Sequence, residues 1–179
     1  MVSLARIARV LQSLARSGWM LRGVSGSVAE TVADHSFLTA LVCIDIVERI
    51  GRHGDVGRVL LYSILHDIGE AFTGDIARGV GRELGELKRG VELKLVEEGV
   101  DSVIARRIYR EYVEQSSFEA KLARLCNYIA TYLTGLQYKS MGYRVSDIIE
   151  NTYREIQKLS VEMNLHSVVK QYIEEESRE

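Results

Sequence analysis

A histidine and an aspartate stand side by side at His66-Asp67, within Ile64-Leu65-His66-Asp67-Ile68-Gly69-Glu70, and a lone histidine precedes them in Ala33-Asp34-His35-Ser36. Their surroundings are apolar. An apolar helix face has no use for a charge unless something neutralises it. A divalent metal ion does so, and neutral imidazole with carboxylate is a common ligand mixture for hydrolytic metals. Neighbours on a helix point about 100° apart, so His66 and Asp67 share an ion only if it lies beside the helix, between their directions. Further ligands must then come from other helices, and His35 is the candidate. A lone histidine on an apolar face is more often a satisfied core residue, but its company here favours ligation.

Two carboxylates follow. Glu70 is three positions after Asp67 and shares its helix face one turn on. It reads either as a helix-end charge or as the group that orients or deprotonates an attacking water. Asp75, in Gly74-Asp75-Ile76, reads either as a turn residue or N-cap, or as a general acid or outer-sphere holder of a metal-bound water.

These residues need helices to hold them. Leu4, Ile7, Ala8, Leu11 and Leu14 keep the spacing of a first amphipathic helix. Ser27-Val28-Ala29-Glu30 has capping-box spacing and is expected to open a second helix, running to about Ile50. Its body, Phe37 to Val47, is apolar almost all round and should be central. A turn over 51–57 leads to a third helix that ends near Gly69. Residues 71–85 contain four glycines and are expected to form a loop across the mouth of a site. Helices are expected again over 86–98 and 102–115, then a long one over 117–139 and a last pair at 146–162 and 165–176. The pattern is an all-α orthogonal bundle in one domain spanning 1–179, with a motif core over about 27–140 and the C-terminal helices 146–176 packed on it.

The composition is that of an ordinary soluble domain: 179 residues, 46 % apolar, 27 % charged, net charge −2. Nothing in the charge marks a nucleic-acid polymer or an anionic membrane as a partner. No stretch approaches the ~20 apolar residues of a membrane span. Cys43 and Cys126 lie in apolar stretches and read as small buried hydrophobes. With no secretory signal visible, a cytoplasmic location is expected.

The spaced His and His-Asp resemble the HD-domain superfamily of metal-dependent phosphohydrolases. The longer order of blocks is narrower: Gly18-Trp19-Met20-Leu21-Arg22-Gly23-Val24, Glu30-Thr31-Val32-Ala33-Asp34-His35-Ser36, His66-Asp67-Ile68-Gly69-Glu70-Ala71 and Gly74-Asp75-Ile76. Together they are similar to the 5′-deoxynucleotidase (YfbR-like) branch, compact all-α and typically dimeric proteins that remove phosphate from deoxyribonucleoside 5′-monophosphates. The likeness runs from about residue 4 to about residue 140.

That resemblance implies a divalent ion (Mn²⁺, Co²⁺, Mg²⁺ or Zn²⁺) on His35, His66 and Asp67, and catalytic roles for Glu70 and Asp75. It implies a nucleoside 5′-monophosphate as substrate and a homodimer as the assembly. Trp19 matches an aromatic of the family's substrate wall near the sugar; its alternative is a core tryptophan. Arg22 matches a phosphate-binding arginine, as a bidentate guanidinium suits. Some relatives carry a basic residue immediately before the tryptophan. Here Gly18 stands there, with Arg16 two positions earlier, so Arg16 is the second candidate.

The main departure is Asn127, which stands where the family closes its metal site with an aspartate. An amide oxygen is a neutral, poorer donor. One negative charge then faces the ion instead of two, and weaker metal affinity is expected. A catalytically silent nucleotide-binding module is the rival reading, as is an HD hydrolase of another phosphate ester. Tyr128, Tyr132 and Tyr138, at near-helical spacing, read as core or dimer interface. His53 and His166 read as surface residues. Arg78 and Arg82 flank the glycine-rich stretch as solvated or phosphate-holding groups.

Overall fold

Apolar residues recur at helical spacing through most of the chain, and each run that keeps this period forms a helix. The computed structural model describes residues 1–52 and 56–178, and the backbone alone for 78–86. In chain order the helices are α1 (Leu4–Ser13), α2 (Ser17–Met20), α3 (Val32–Arg49), α4 (Val56–Leu65), α5 (Glu70–Thr73), α6 (Arg78–Gly99), α7 (Val103–Glu114), α8 (Phe118–Ser140), α9 (Ser146–Glu162) and α10 (His166–Glu176). The expected all-α class holds. His53, Arg78 and Arg82 lie outside the described residues or side chains.

α3 and α8 pack together at the centre, against α4, and α9 covers α8. The main core gathers Ile46, Tyr62, Leu122, Leu125 and Ile129. A second core, around Trp19, Val24, Tyr138, Val145 and Ile149, closes the end near α2. Cys43 and Cys126 are both fully buried, as expected of small hydrophobes. None of the described helices is long and apolar enough to cross a membrane.

Two short backbone pairings matter for the site. Ala15 bridges Thr31, with Arg16 N donating to Glu30 O at 3.0 Å and Val32 N to Leu14 O at 2.9 Å. This fixes Arg16 beside Glu30, just ahead of α3. Val2 pairs similarly with Val100 and ties the N-terminus to the end of α6.

Two expectations are corrected. The capping box of α3 is Thr31 with Asp34, not Ser27 with Glu30. The Thr31 side chain accepts from Asp34 N, and the Asp34 carboxylate accepts from Thr31 N at 2.9 Å. Glu30 is unavailable for capping because Arg16 and Trp19 already bond to it. The stretch 71–85 is not one loop: α5 and α6 leave only 74–77 non-helical. Glycine costs a helix about 1 kcal/mol without forbidding it. Of the four glycines only Gly74 takes a left-handed φ, +77°. Of the two readings offered for the tyrosines of α8, Tyr138 and Tyr132 follow the core one. Tyr138 is buried against Trp19, and Tyr132 packs on Tyr153 of α9.

The α8–α9 seam depends on one missing side chain. A Cβ on Gly135 would sit 2.8 Å from Ile149 Cγ1 and 3.4 Å from the Trp19 ring. Gly135→Ala is expected to destabilise by about 1–3 kcal/mol through overpacking. A lowered urea midpoint at unchanged slope is the readout, and an unchanged midpoint would show that the seam relaxes freely.

Candidate metal centre and active site

His66 and Asp67 lie just beyond the end of α4, on a tight turn that joins it to α5, not within a regular helix as the sequence suggested. Glu70 N donates to Asp67 O at 3.0 Å and Phe72 N to Gly69 O, also at 3.0 Å. These bonds span three residues, and at that pitch residues i and i+3 eclipse. Glu70 therefore shares the Asp67 face more closely than on an α-helix. Gly69 lets α6 and α7 close on the turn, because a Cβ there would collide with the Tyr109 hydroxyl and lie 2.9 Å from Glu92 Cβ.

His35, on α3, meets this turn in the core. One potential ligand atom from each of His35, His66 and Asp67 lies within 4.8 Å of the others. His66 Nε2 is 2.8 Å from Asp67 Oδ2, but the two are not aligned for a hydrogen bond. His66 Nδ1 lies 2.8 Å from Ser63 O, which suits an N–H donor and leaves Nε2 with its lone pair. Both ring nitrogens of His35 and the Nε2 of His66 are buried without a hydrogen-bond partner. Buried polar atoms are nearly always satisfied, so an unpartnered nitrogen from each imidazole, meeting beside a carboxylate, fits a metal ion. Burial, then Arg16 and His66, hold His35 well below its usual value, in the neutral form that ligates. Burial alone would push Asp67 up, but the adjacent imidazoles and Arg16 outweigh it and keep it ionised.

Asn127 reaches this group from α8. It interacts with His35 on one side and Tyr112 on the other. The position that the sequence aligned with the family's aspartate is thus at the centre.

Three acidic groups crowd the same space. Burial, reinforced by Asp67 and Asp75, pushes the Glu70 carboxyl up to about 9, against the pull of Lys88 and Arg16. Such a surplus of negative charge is what a dication would relieve. Asp75 Oδ2 accepts from both the backbone N–H and the hydroxyl of Ser17, the latter at 2.7 Å. That pins the 74–77 segment to the start of α2.

The structure separates the two arginines. Arg16 is enclosed, and Glu30, Asp67, Asp75 and Glu70 keep it charged despite its burial. Its Nη1 donates to Glu30 Oε1 at 2.9 Å and to Thr131 Oγ1 at 3.5 Å. Arg22 is bound instead to Asp147 of α9, at 2.6 Å and partly exposed. The arginine at the candidate centre is Arg16. Trp19, 1 % exposed, does not present an open wall; its ring fills the second core and its indole N–H donates to Glu30 Oε1 at 2.8 Å.

Sequence reasoning missed two residues. Glu30 is the hub that joins Arg16, Trp19 and Thr134, with His35 Nδ1 3.9 Å away. Its place in the matched block was visible, but its contacts required the Ala15–Thr31 bridge. Lys88, 3.1 Å from Glu70 Oε1, is the other. It stands in a helix with no motif to flag it.

The HD-domain family model matches residues 8–168, a span that contains all of these groups. The chain belongs to the HD-domain family. It is 24 % identical over 156 residues to the 5′-deoxynucleotidase HDDC2 of Dictyostelium discoideum, spanning 81 % of this chain and 80 % of that one. Among solved structures, the PH0347 protein of Pyrococcus horikoshii OT3 is similar with a TM-score of 0.78, at 29 % identity over 97 % of this chain and 96 % of that one. A conserved hypothetical protein of Pyrococcus furiosus has a TM-score of 0.81 at 24 % identity, over 98 % of both chains, and speaks for the fold. The HD-domain match and the nucleotidase relative support metal-dependent phosphohydrolase chemistry at this centre.

Two outcomes follow for the HD centre. Asp67→Ala should lose stoichiometric metal by elemental analysis while its circular dichroism stays helical; retained metal would place the site elsewhere. The second concerns pH. In the metal-free fold Glu70 keeps its proton to about 9, against 4.5 when unfolded, so its contribution to stability falls as pH rises through that range. His35 has the opposite sign but acts only below its unfolded value of 6.5. The chelated protein should therefore lose stability from neutral pH upward to about 9, by at most about 1.4 kcal/mol per pH unit. Urea midpoints across that range measure it, and a flat profile would contradict the crowding of carboxylates.

Proposed function

We propose that the protein is a metal-dependent phosphohydrolase that removes the phosphate of nucleoside 5′-monophosphates, with deoxyribonucleoside 5′-monophosphates as its substrate class. The observation that carries the reading is the convergence of ligand atoms of His35, His66 and Asp67, with imidazole nitrogens of both histidines unpartnered, beside the largely enclosed guanidinium of Arg16. The activity named for the Dictyostelium relative supports the finer substrate class.

His35, His66 and Asp67 would hold the ion, with Asn127 as a neutral fourth donor. A bound divalent ion supplies Lewis acidity toward a phosphoryl oxygen and water. Both observed bonds of Arg16 to neighbouring side chains come from Nη1. The rest of its planar fork binds the phosphate. Glu30 and Trp19 fix that fork from behind. Glu70 orients the attacking water and takes its proton, and Asp75, held by Ser17, serves the leaving 5′-oxygen. The products are a nucleoside and inorganic phosphate.

Asn127 favours one rival, a silent nucleotide-binding module. A phosphate-release screen separates the two. Wild type and Asn127→Asp are tested on deoxy- and ribonucleoside 5′-monophosphates, with Mn²⁺, Co²⁺, Mg²⁺ and Zn²⁺ supplied singly. Wild type should release phosphate with at least one metal. Asn127→Asp should be faster at limiting metal, with the gap closing at saturation, because the added charge strengthens binding. No release from either protein under any condition would overturn the nucleotidase reading, and nucleotide binding without turnover would establish the module.

A further inference from the structure

Helix α6 lies against the short helix that begins with Glu70 and brings a cation to it. Lys88 Nζ is 3.1 Å from Glu70 Oε1 and 3.4 Å from Glu92 Oε1. Glu92 is 6 % exposed. Its Oε1 accepts from Thr73 Oγ1 of α5 at 2.9 Å, and its Oε2 faces the Tyr109 hydroxyl of α7 at 3.5 Å. The chain from Glu70 to Lys88 to Glu92 therefore ends on a carboxylate held by the far end of α5 and by α7.

Stability alone is a weak reason for such an array. Drawing charges out of water is costly, and a buried ion pair is often no better than apolar packing. Geometry supplies a better reason. A carboxylate that must aim one oxygen at a water needs its other oxygen held. Glu70 is surrounded by Asp67 on its own turn, Asp75 in the 74–77 segment, Arg16 ahead of α2 and Lys88 on α6. Of the two cations, Arg16 is already committed to Glu30, and Lys88 is the one bonded to Glu70.

We propose that Lys88 is a positioning residue for Glu70: its ammonium grips Oε1, leaving Oε2 for the reacting water, and Glu92 anchors that ammonium. The inference rests on the proposed role of Glu70. It assigns Lys88 no contact with phosphate. Removing Lys88 should leave Glu70 and the metal ligands in place but let the carboxylate swing.

The test is a double-mutant cycle on phosphate release at saturating metal. Lys88→Met should lower kcat roughly 10- to 100-fold, the scale of an ångström-level misplacement. KM should stay within about threefold and metal content should be unchanged, since a positioning defect acts on turnover more than on ground-state binding. Lys88→Arg, which keeps a donor at the same site, should recover part of the loss. Glu70→Gln should lose roughly two to four decades by itself. In that background Lys88→Met should change kcat by less than about threefold, because coupled groups are not additive. Equal losses in both backgrounds, or a loss confined to KM, would overturn the inference in favour of a structural or phosphate-binding lysine. Full activity of Lys88→Met beside an inactive Glu70→Gln would overturn it alone. An active Glu70→Gln, or a wild type that hydrolyses no nucleoside monophosphate, would overturn it together with the function on which it rests. Where Lys88→Met fails to fold, Glu92→Gln tests the anchor, with a smaller kcat loss expected and the same lack of additivity.

Discussion

A close-packed helical interior tolerates few polar atoms without partners, and the pair of imidazoles at its centre violates that rule three times over. His35 is 0 % exposed with both ring nitrogens unpaired, and His66 Nε2 is unpaired beside it. Each orphan costs about 1–3 kcal/mol of desolvation unless something binds it. Much of the remaining architecture serves this arrangement. The tight turn after α4 brings Asp67 and Glu70 to one face, Gly69 lets Tyr109 and Glu92 close on the turn, and Asn127 arrives from α8.

Charge is the second organising quantity. Asp67, Glu70, Asp75, Glu30 and Glu92 lie around a space served by Arg16 and Lys88. The two cations are not interchangeable. Arg16 is held as a flat fork against Glu30, which suits oriented recognition of a tetrahedral anion. Lys88 is a point charge between two carboxylates, which suits orientation of one of them. Asn127 brings a neutral amide to the same space.

The sequence carries the candidate ligands because their chemistry is local. An adjacent His-Asp on an apolar segment has few structural excuses, and the three-residue step to Glu70 survives the change from α-helix to tight turn. It carries the helices as well, since their apolar period persists almost unbroken. It does not distinguish Arg16 from Arg22, because that depends on the Ala15–Thr31 bridge and on Asp147, over a hundred residues away from either. It does not reveal Glu30 as a hub or Lys88 as a partner, because isolated charges on helical segments look alike until the helices are packed. The glycines over 71–85 mislead for a related reason: propensity is a weak prior that a long helix can override.

The bonds of Glu30 fall into two classes of chain separation. Those to Trp19 and Arg16 span 11 and 14 residues, whereas those to Thr134 and the Tyr138 hydroxyl span 104 and 108. Loop-closure entropy rises with the logarithm of that separation. The guanidinium, the indole and the carboxylate are thus joined by short closures of low entropic cost, and α8 supplies the long ones. The Arg16–Trp19–Glu30 side of the centre rests on contacts close in the chain, and its α8 side on contacts more than a hundred residues apart.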